Sequence, residues 1–106
     1  TRRIIARTLE YNRDVVGLYV LSSEARAPIS CAAEFISLND IIVIAHERTP
    51  FSVEGLKSGA IDAVIAQNPG HAVRSAVRLL RARIDGRSVL KSQDQLRIEI
   101  LLKDNL

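Results

Sequence analysis

The sequence predicts an α/β fold: a parallel, Rossmann-like sheet of about four strands with flanking helices. Short Val- and Ile-rich runs alternate with helical patterns along the whole chain. Three of those runs are nearly continuous in hydrophobicity, as strands covered on both faces are. Helix boundaries are marked by Thr-Pro and Asn-Pro pairs at the starts and by glycines at the ends.

Residues 1–12 read as the last turns of a helix with Ile5 and Leu9 turned inward. Val15–Leu21 follows as the first strand. Pro28 then opens a helical segment in which Ile29, Ala32, Ala33 and Ile36 share one face. Ile41–His46 is the second strand, and Thr49-Pro50 starts a helix that Gly59 closes in a left-handed cap. Ile61–Ala66 is the third strand. Asn68-Pro69 starts the longest helix, residues 69–85, and Gly86 stops it. A polar, irregular stretch, Gly86–Gln95, leads to the last strand, where Leu96, Ile98, Ile100 and Leu102 alternate with Arg97 and Glu99. Alternation of that kind marks a half-exposed strand near a sheet edge. The resulting order, α-β-α-β-α-β-α-β, is that of a layered fold with crossover helices.

At 106 residues, 47% hydrophobic and 25% charged, the chain suits one folded domain. It begins at Thr1 rather than methionine, and we read it as a piece of something longer. No apolar run approaches the roughly 20 residues that span a bilayer, so no membrane partner is expected. Fifteen basic residues, twelve of them arginine, face twelve acidic ones. That balance is too even for a dense basic stripe, so this piece is not expected to bind nucleic acid directly. Cys31 stands alone, which excludes an internal disulfide and fits a buried, inert thiol in a reducing compartment.

The polar residues that draw notice fall at the carboxyl ends of strands, where open parallel sheets bind ligands. Those ends read Ser22-Ser23-Glu24, His46-Glu47-Arg48 and Gln67-Asn68. The plainer alternative is loop polars and helix caps, and Asn68 reads as a cap. Catalytic constellations are thin, which disfavours a third reading, an α/β enzyme fragment: His46 and Glu47 are adjacent, so their side chains diverge on a strand, and His71 is the only other histidine. No His/Cys/Asp spacing suits a metal, and neither GxGxxG nor GxxxxGK[ST] occurs. The expectation is a binding protein, not an enzyme, with no cofactor. Arg74, Arg78 and Arg81 line one face of helix 69–85 and read as solvated, opposite a stripe of Ala72, Val73, Ala76, Val77, Leu80 and Ile84.

The run "VIAHERTPFSVEGLKSGAIDAVIAQNPGHAVRSAVRLLRARIDG", followed by "LRIEILLKDNL", resembles the C-terminal end of LacI/GalR-type transcriptional regulators. The "G-x-[IL]-D-A-V-I-x-Q-[ND]-P" element, the helix ending in Gly and the terminal "[DE]-N-L" carry the resemblance. It implies one lobe of a type 1 periplasmic-binding-protein fold, closing with a second lobe on a sugar or related polyol. It also implies that helix 69–85 belongs to the other lobe, since the chain crosses near Gln67-Asn68-Pro69, and that DNA is reached only through an N-terminal helix-turn-helix absent here. By the same resemblance the protein is a cytoplasmic homodimer. Gln67 matches the cleft glutamine, and Glu47 matches an acidic residue that is usually Asp. Ser22 and Ser23 match a loop that often carries Asn-Asp, so the sequence departs there. The alternative of the same fold is a periplasmic sugar-binding protein of an ABC transporter. Cut from its partner lobe, the helix stripe either folds back on its own sheet or pairs with another copy, and we expect pairing.

Overall fold

A computed structural model of the chain describes residues 2–88 and 95–106. The elements run α1 (Arg2–Tyr11), β1 (Gly17–Val20), α2 (Arg26–Ala33), β2 (Ile42–His46), α3 (Pro50–Ser58), β3 (Ala63–Gln67), α4 (Pro69–Asp85) and β4 (Ile98–Leu101). Short 3-10 turns cover Leu38–Asp40 and Lys103–Asn105. The expected alternation is therefore present. The sheet has the order β1-β2-β3-β4, with β2 parallel to both of its neighbours and registers Val20↔Ala45 and Ala45↔Val64. Most of the soft stretch expected at Gly86–Gln95 lies outside the described residues.

The chain divides into two units, Thr1–Ala66 with Ile100–Leu106, and Gln67–Glu99. In the first, one sheet face is closed by helices. Val20, Val43, Ala45, Val64, Ala66 and Leu101 point to a core shared with Ile29 of α2 and Leu56 of α3. Period-2 alternation puts all the named strand residues on that face. Cys31 is buried, as expected for an inert thiol. α1 packs against α2 and is tied to it by the Arg2–Glu34 ion pair at 2.6 Å, an exposed bridge that contributes little by itself.

Local chemistry accounts for the boundaries. Thr49 and Ser52 form a capping box at the start of α3, and Gly59 ends it at φ 85°. The Asn68 side chain accepts the His71 N–H at 3.0 Å, and Gly86 ends α4 at φ 65°. Between β2 and β3, Asp62 does a strand's work with its side chain: its carboxylate accepts the Val43 N–H at 2.8 Å while its own N–H donates to Val43 O.

Three expectations change. The segment containing Ile29 is helical from Arg26, ahead of Pro28, only through Ala33; Ala33 is exposed, while Ile29 and Ala32 are buried and Ile36, past the helix, packs half-buried against the core. Within the first unit the second sheet face is only partly covered: Ile42 is 60% exposed and Tyr19 54%, while Ile44 and Ile65 are half-buried. The continuous hydrophobicity of the strands thus signals a face that these residues leave partly open. In β4 the phase is opposite to the simple reading. Leu101 enters the core, while Leu96, Ile98, Ile100 and Leu102 remain outside. Alternation alone identifies two faces without saying which one is covered.

In the second unit α4 is amphipathic. Val73, Val77, Leu80 and Ile84 are all more than half exposed.

Gly55 marks the tightest approach of α3 to the core. A Cβ there would lie 2.6 Å from Ile61 Cδ1, and Ile61 is itself buried and stiff at χ1. Gly55→Ala is therefore expected to lower stability by about 1–3 kcal/mol despite the better helix propensity of alanine. Urea denaturation measures it, and a stabilised variant would show that Ile61 has room to move.

Candidate functional site at the strand ends

Each of the first two strands ends in a loop whose backbone is closed by its own side chains. After β1, Ser22 Oγ accepts the Glu24 N–H at 3.2 Å. The Glu24 carboxylate then accepts the N–H groups of Arg26 and Ala27 at 3.0 and 3.4 Å. An anion over the first amides of α2 is favourable, and this is the cap that Ala25 does not supply. Ser23 is exposed and makes no side-chain hydrogen bond among the described residues. The Arg26 guanidinium sits 5.3 Å from the centroid of the Phe51 ring, linking the starts of α2 and α3.

After β2 the backbone turns abruptly. Glu47 has φ 67°, the one non-glycine residue with a left-handed backbone among those described. A non-glycine residue in this region is held there at some cost, and such outliers cluster at functional sites. Two hydrogen bonds hold it: its N–H donates to Ile65 O at 2.8 Å, extending the β2–β3 ladder, and its carbonyl accepts from Ser52 Oγ at 2.8 Å. The turn separates the half-buried Glu47 from the direction of the strand before it. His46, immediately upstream, is anchored separately, with Nε2 hydrogen-bonded to the Tyr19 hydroxyl across the open sheet face. The two rings are tilted at 45°.

Ser22, Ser23 and Glu47 thus stand at the carboxyl ends of two directly paired strands of the first unit. Gln67 ends β3 two residues beyond Ile65, is exposed, and is the first residue of the second unit. Within the first unit, no hydrogen bond joins the side chains of Ser22, Ser23 and Glu47 to one another among the described residues. The first unit presents a half-buried carboxylate and two hydroxyls at its strand ends, and the second unit begins with the exposed amide of Gln67. These groups can donate to and accept from a hydroxylated ligand. Among the described residues no group of His, Cys, Asp and Glu is arranged to hold a metal ion. A groove of about 480 Å³ lined by Leu9, Arg13 and Phe35 lies at the other end of α2, away from these loops.

Ser52 and Tyr19 escaped the sequence reading. Ser52 reads as an ordinary third residue of a helix cap until its hydroxyl is seen to reach back to Glu47 O. The signal available was the spacing Thr49–Ser52, which marks a capping box but not its second bond.

Solved structures share this architecture. A glucose-galactose-binding protein from Geobacillus stearothermophilus superposes with a TM-score of 0.84 at 18% identity, over 99% of this chain and 38% of that one. A solute-binding protein of an ABC transporter from Agrobacterium vitis, bound with α-D-tagatopyranose, gives 0.79 at 23% identity, over 98% and 35%. Another from Burkholderia graminis, in complex with D-arabinose, gives 0.78 at 23%, over 98% and 37%. The fold is that of a type 1 periplasmic-binding-protein lobe. The chain spans a little over a third of the length of these proteins. No protein-family model and no curated sequence matches it.

Proposed function

We propose that the chain is the ligand-sensing C-terminal lobe of a sugar-responsive bacterial transcriptional regulator resembling the LacI/GalR type. The observation that carries the ligand-binding part is Glu47, held in a left-handed conformation at the carboxyl end of a central parallel strand. The ligand is a sugar or related polyol gripped by Glu47 and Gln67, with Ser22 and Ser23 at the rim. Sugars suit such groups because adjacent hydroxyls pair with an amide's donor and acceptor, and a carboxylate strengthens the bonds it accepts. A wrong sugar leaves a buried polar group unpaired and is rejected at that cost. Binding, not turnover, is the activity.

In the intact protein helix α4 belongs to the other lobe. The break between units at Gln67, where the resemblance has the chain cross, supports that assignment. Ligand-driven closure of the lobes biases an N-terminal DNA-binding module, the only route to DNA, and the protein acts in the cytoplasm as a homodimer. The exposed stripe of α4 supports a partner for that helix. The second reading is a periplasmic solute-binding protein, favoured by the ABC-transporter proteins among the structural neighbours.

A thermal-shift screen of the intact protein against D-glucose, D-galactose, D-arabinose, D-tagatose, sugar acids and nucleosides tests the ligand class. A sugar at about 100 times its dissociation constant is expected to add roughly 2.7 kcal/mol of stability. No shift with any of them would sink the sugar-binding reading. The N-terminal part of the gene separates the two roles: a helix-turn-helix for a regulator, a secretory signal for a transporter component.

A further inference from the structure

We infer that Ser52 is the positioning residue of this site, acting through Glu47. Its side chain is fully buried, yet it touches no candidate ligand surface. Its hydroxyl has one proton and two lone pairs, and the surroundings use both capacities. Of the two carbonyls within reach of the proton, Glu47 O at 2.8 Å is nearer than Thr49 O at 3.1 Å, and the oxygen accepts the Thr49 N–H at 2.8 Å and the Thr49 hydroxyl at 3.2 Å. The Thr49 hydroxyl accepts the Ser52 N–H at 3.1 Å, completing the box. One side chain therefore caps α3 and pins the carbonyl of the residue whose left-handed backbone aims its carboxylate.

The consequence is geometric. Residues 47–52 form a closed loop between the end of β2 and the first turn of α3. Glu47 is clamped on its amide side by Ile65 and on its carbonyl side by Ser52. Without the second clamp, φ 67° has no local support, and the residue can relax to the negative φ it prefers. That rotation swings the carboxylate off the strand end while the core beneath stays packed. The assignment of Glu47 to sugar binding is the reading it rests on; the clamp itself does not depend on it.

The test has two readouts on the intact protein. Amide hydrogen exchange needs no ligand. In Ser52→Ala the Glu47 amide is expected to exchange at least about tenfold faster, with the core amides of Ala45 and Val64 unchanged. Glu47 exchange that merely follows the core would overturn the clamp. The second readout is a double-mutant cycle with Glu47→Gln, titrated with whichever of D-glucose, D-galactose, D-arabinose and D-tagatose stabilises the wild type most. Ser52→Ala is expected to weaken binding about tenfold, and to weaken it hardly further in the Glu47→Gln background. Additive losses would overturn the proposal that Ser52 acts through Glu47. Thr49→Ala is the control: it removes a helix cap but leaves the Ser52–Glu47 bond, so melting falls while Glu47 exchange stays with the core. Loss of Glu47 protection in that variant as well would reduce Ser52 to a capping residue. If Ser52→Ala fails to fold, Ser52→Cys, similar in size with a weaker donor, takes its place with the same expected directions. If none of the four sugars binds the wild type, the sugar-binding reading fails, while the exchange result still decides the clamp.

Discussion

Leu56→Ala is expected to lower the unfolding free energy by about 2–5 kcal/mol, enough to unfold a marginal domain. Leu56 is 1% exposed and is among the largest fully buried side chains, sitting where α3 covers the face formed by Val43, Ala45 and Val64. Truncation removes its transfer free energy and leaves a cavity that rigid β-branched neighbours cannot fill. The comparison is Leu80→Ala in α4, at 64% exposure, where the same deletion is expected to change stability by less than about 0.5 kcal/mol in the 106-residue chain. Urea denaturation with an unchanged m-value reads both. Equal losses at the two positions would mean that the α4 stripe is buried in solution, against the chain's own sheet or a second copy.

Gln67→Ala is expected to weaken sugar binding by the intact protein about 5- to 150-fold. The amide ends β3 and is exposed in this chain, so its loss removes no packing and folding is expected to be unchanged. In a closed cleft the same amide faces ligand hydroxyls, and removing it strands a partner already taken from water, at about 1–3 kcal/mol. Isothermal titration with the sugar identified by thermal shift measures the change. Unchanged affinity would return Gln67 to the status of a loop polar, and the cleft would have to be built from other groups.

The caps were the most legible features because their chemistry is local. Thr49-Pro50, Asn68-Pro69, Gly59 and Gly86 each satisfy orphan backbone groups within four residues in sequence, so no distant partner is needed to read them. The strand ends were legible for a related reason: a polar residue after an apolar run marks where the sheet stops. Which of those polar residues are spent on the backbone was not. Ser22 and Glu24 read alike as polar strand-end residues, yet Ser22 Oγ accepts a backbone N–H of its own turn and Glu24 caps α2. Nothing in the residue types distinguishes a hydroxyl turned to its own loop from one turned to solvent.

Left to itself, then, the sequence determined the alternation of elements, the caps that bound them and the three polar strand ends, because periodicity and capping act over a few residues. Only the tertiary structure decided which face of the sheet is covered. Leu101 enters the core while Ile98 and Ile100 stay out, a choice made by where α2 and α3 lie and not by the pattern of β4. Only the tertiary structure, likewise, gave Glu47 its left-handed backbone. That conformation exists because Ile65, from a different strand, and Ser52, from the following helix, hold its two peptide groups at once. Constraints that arrive from two separate elements leave no periodic trace in the chain.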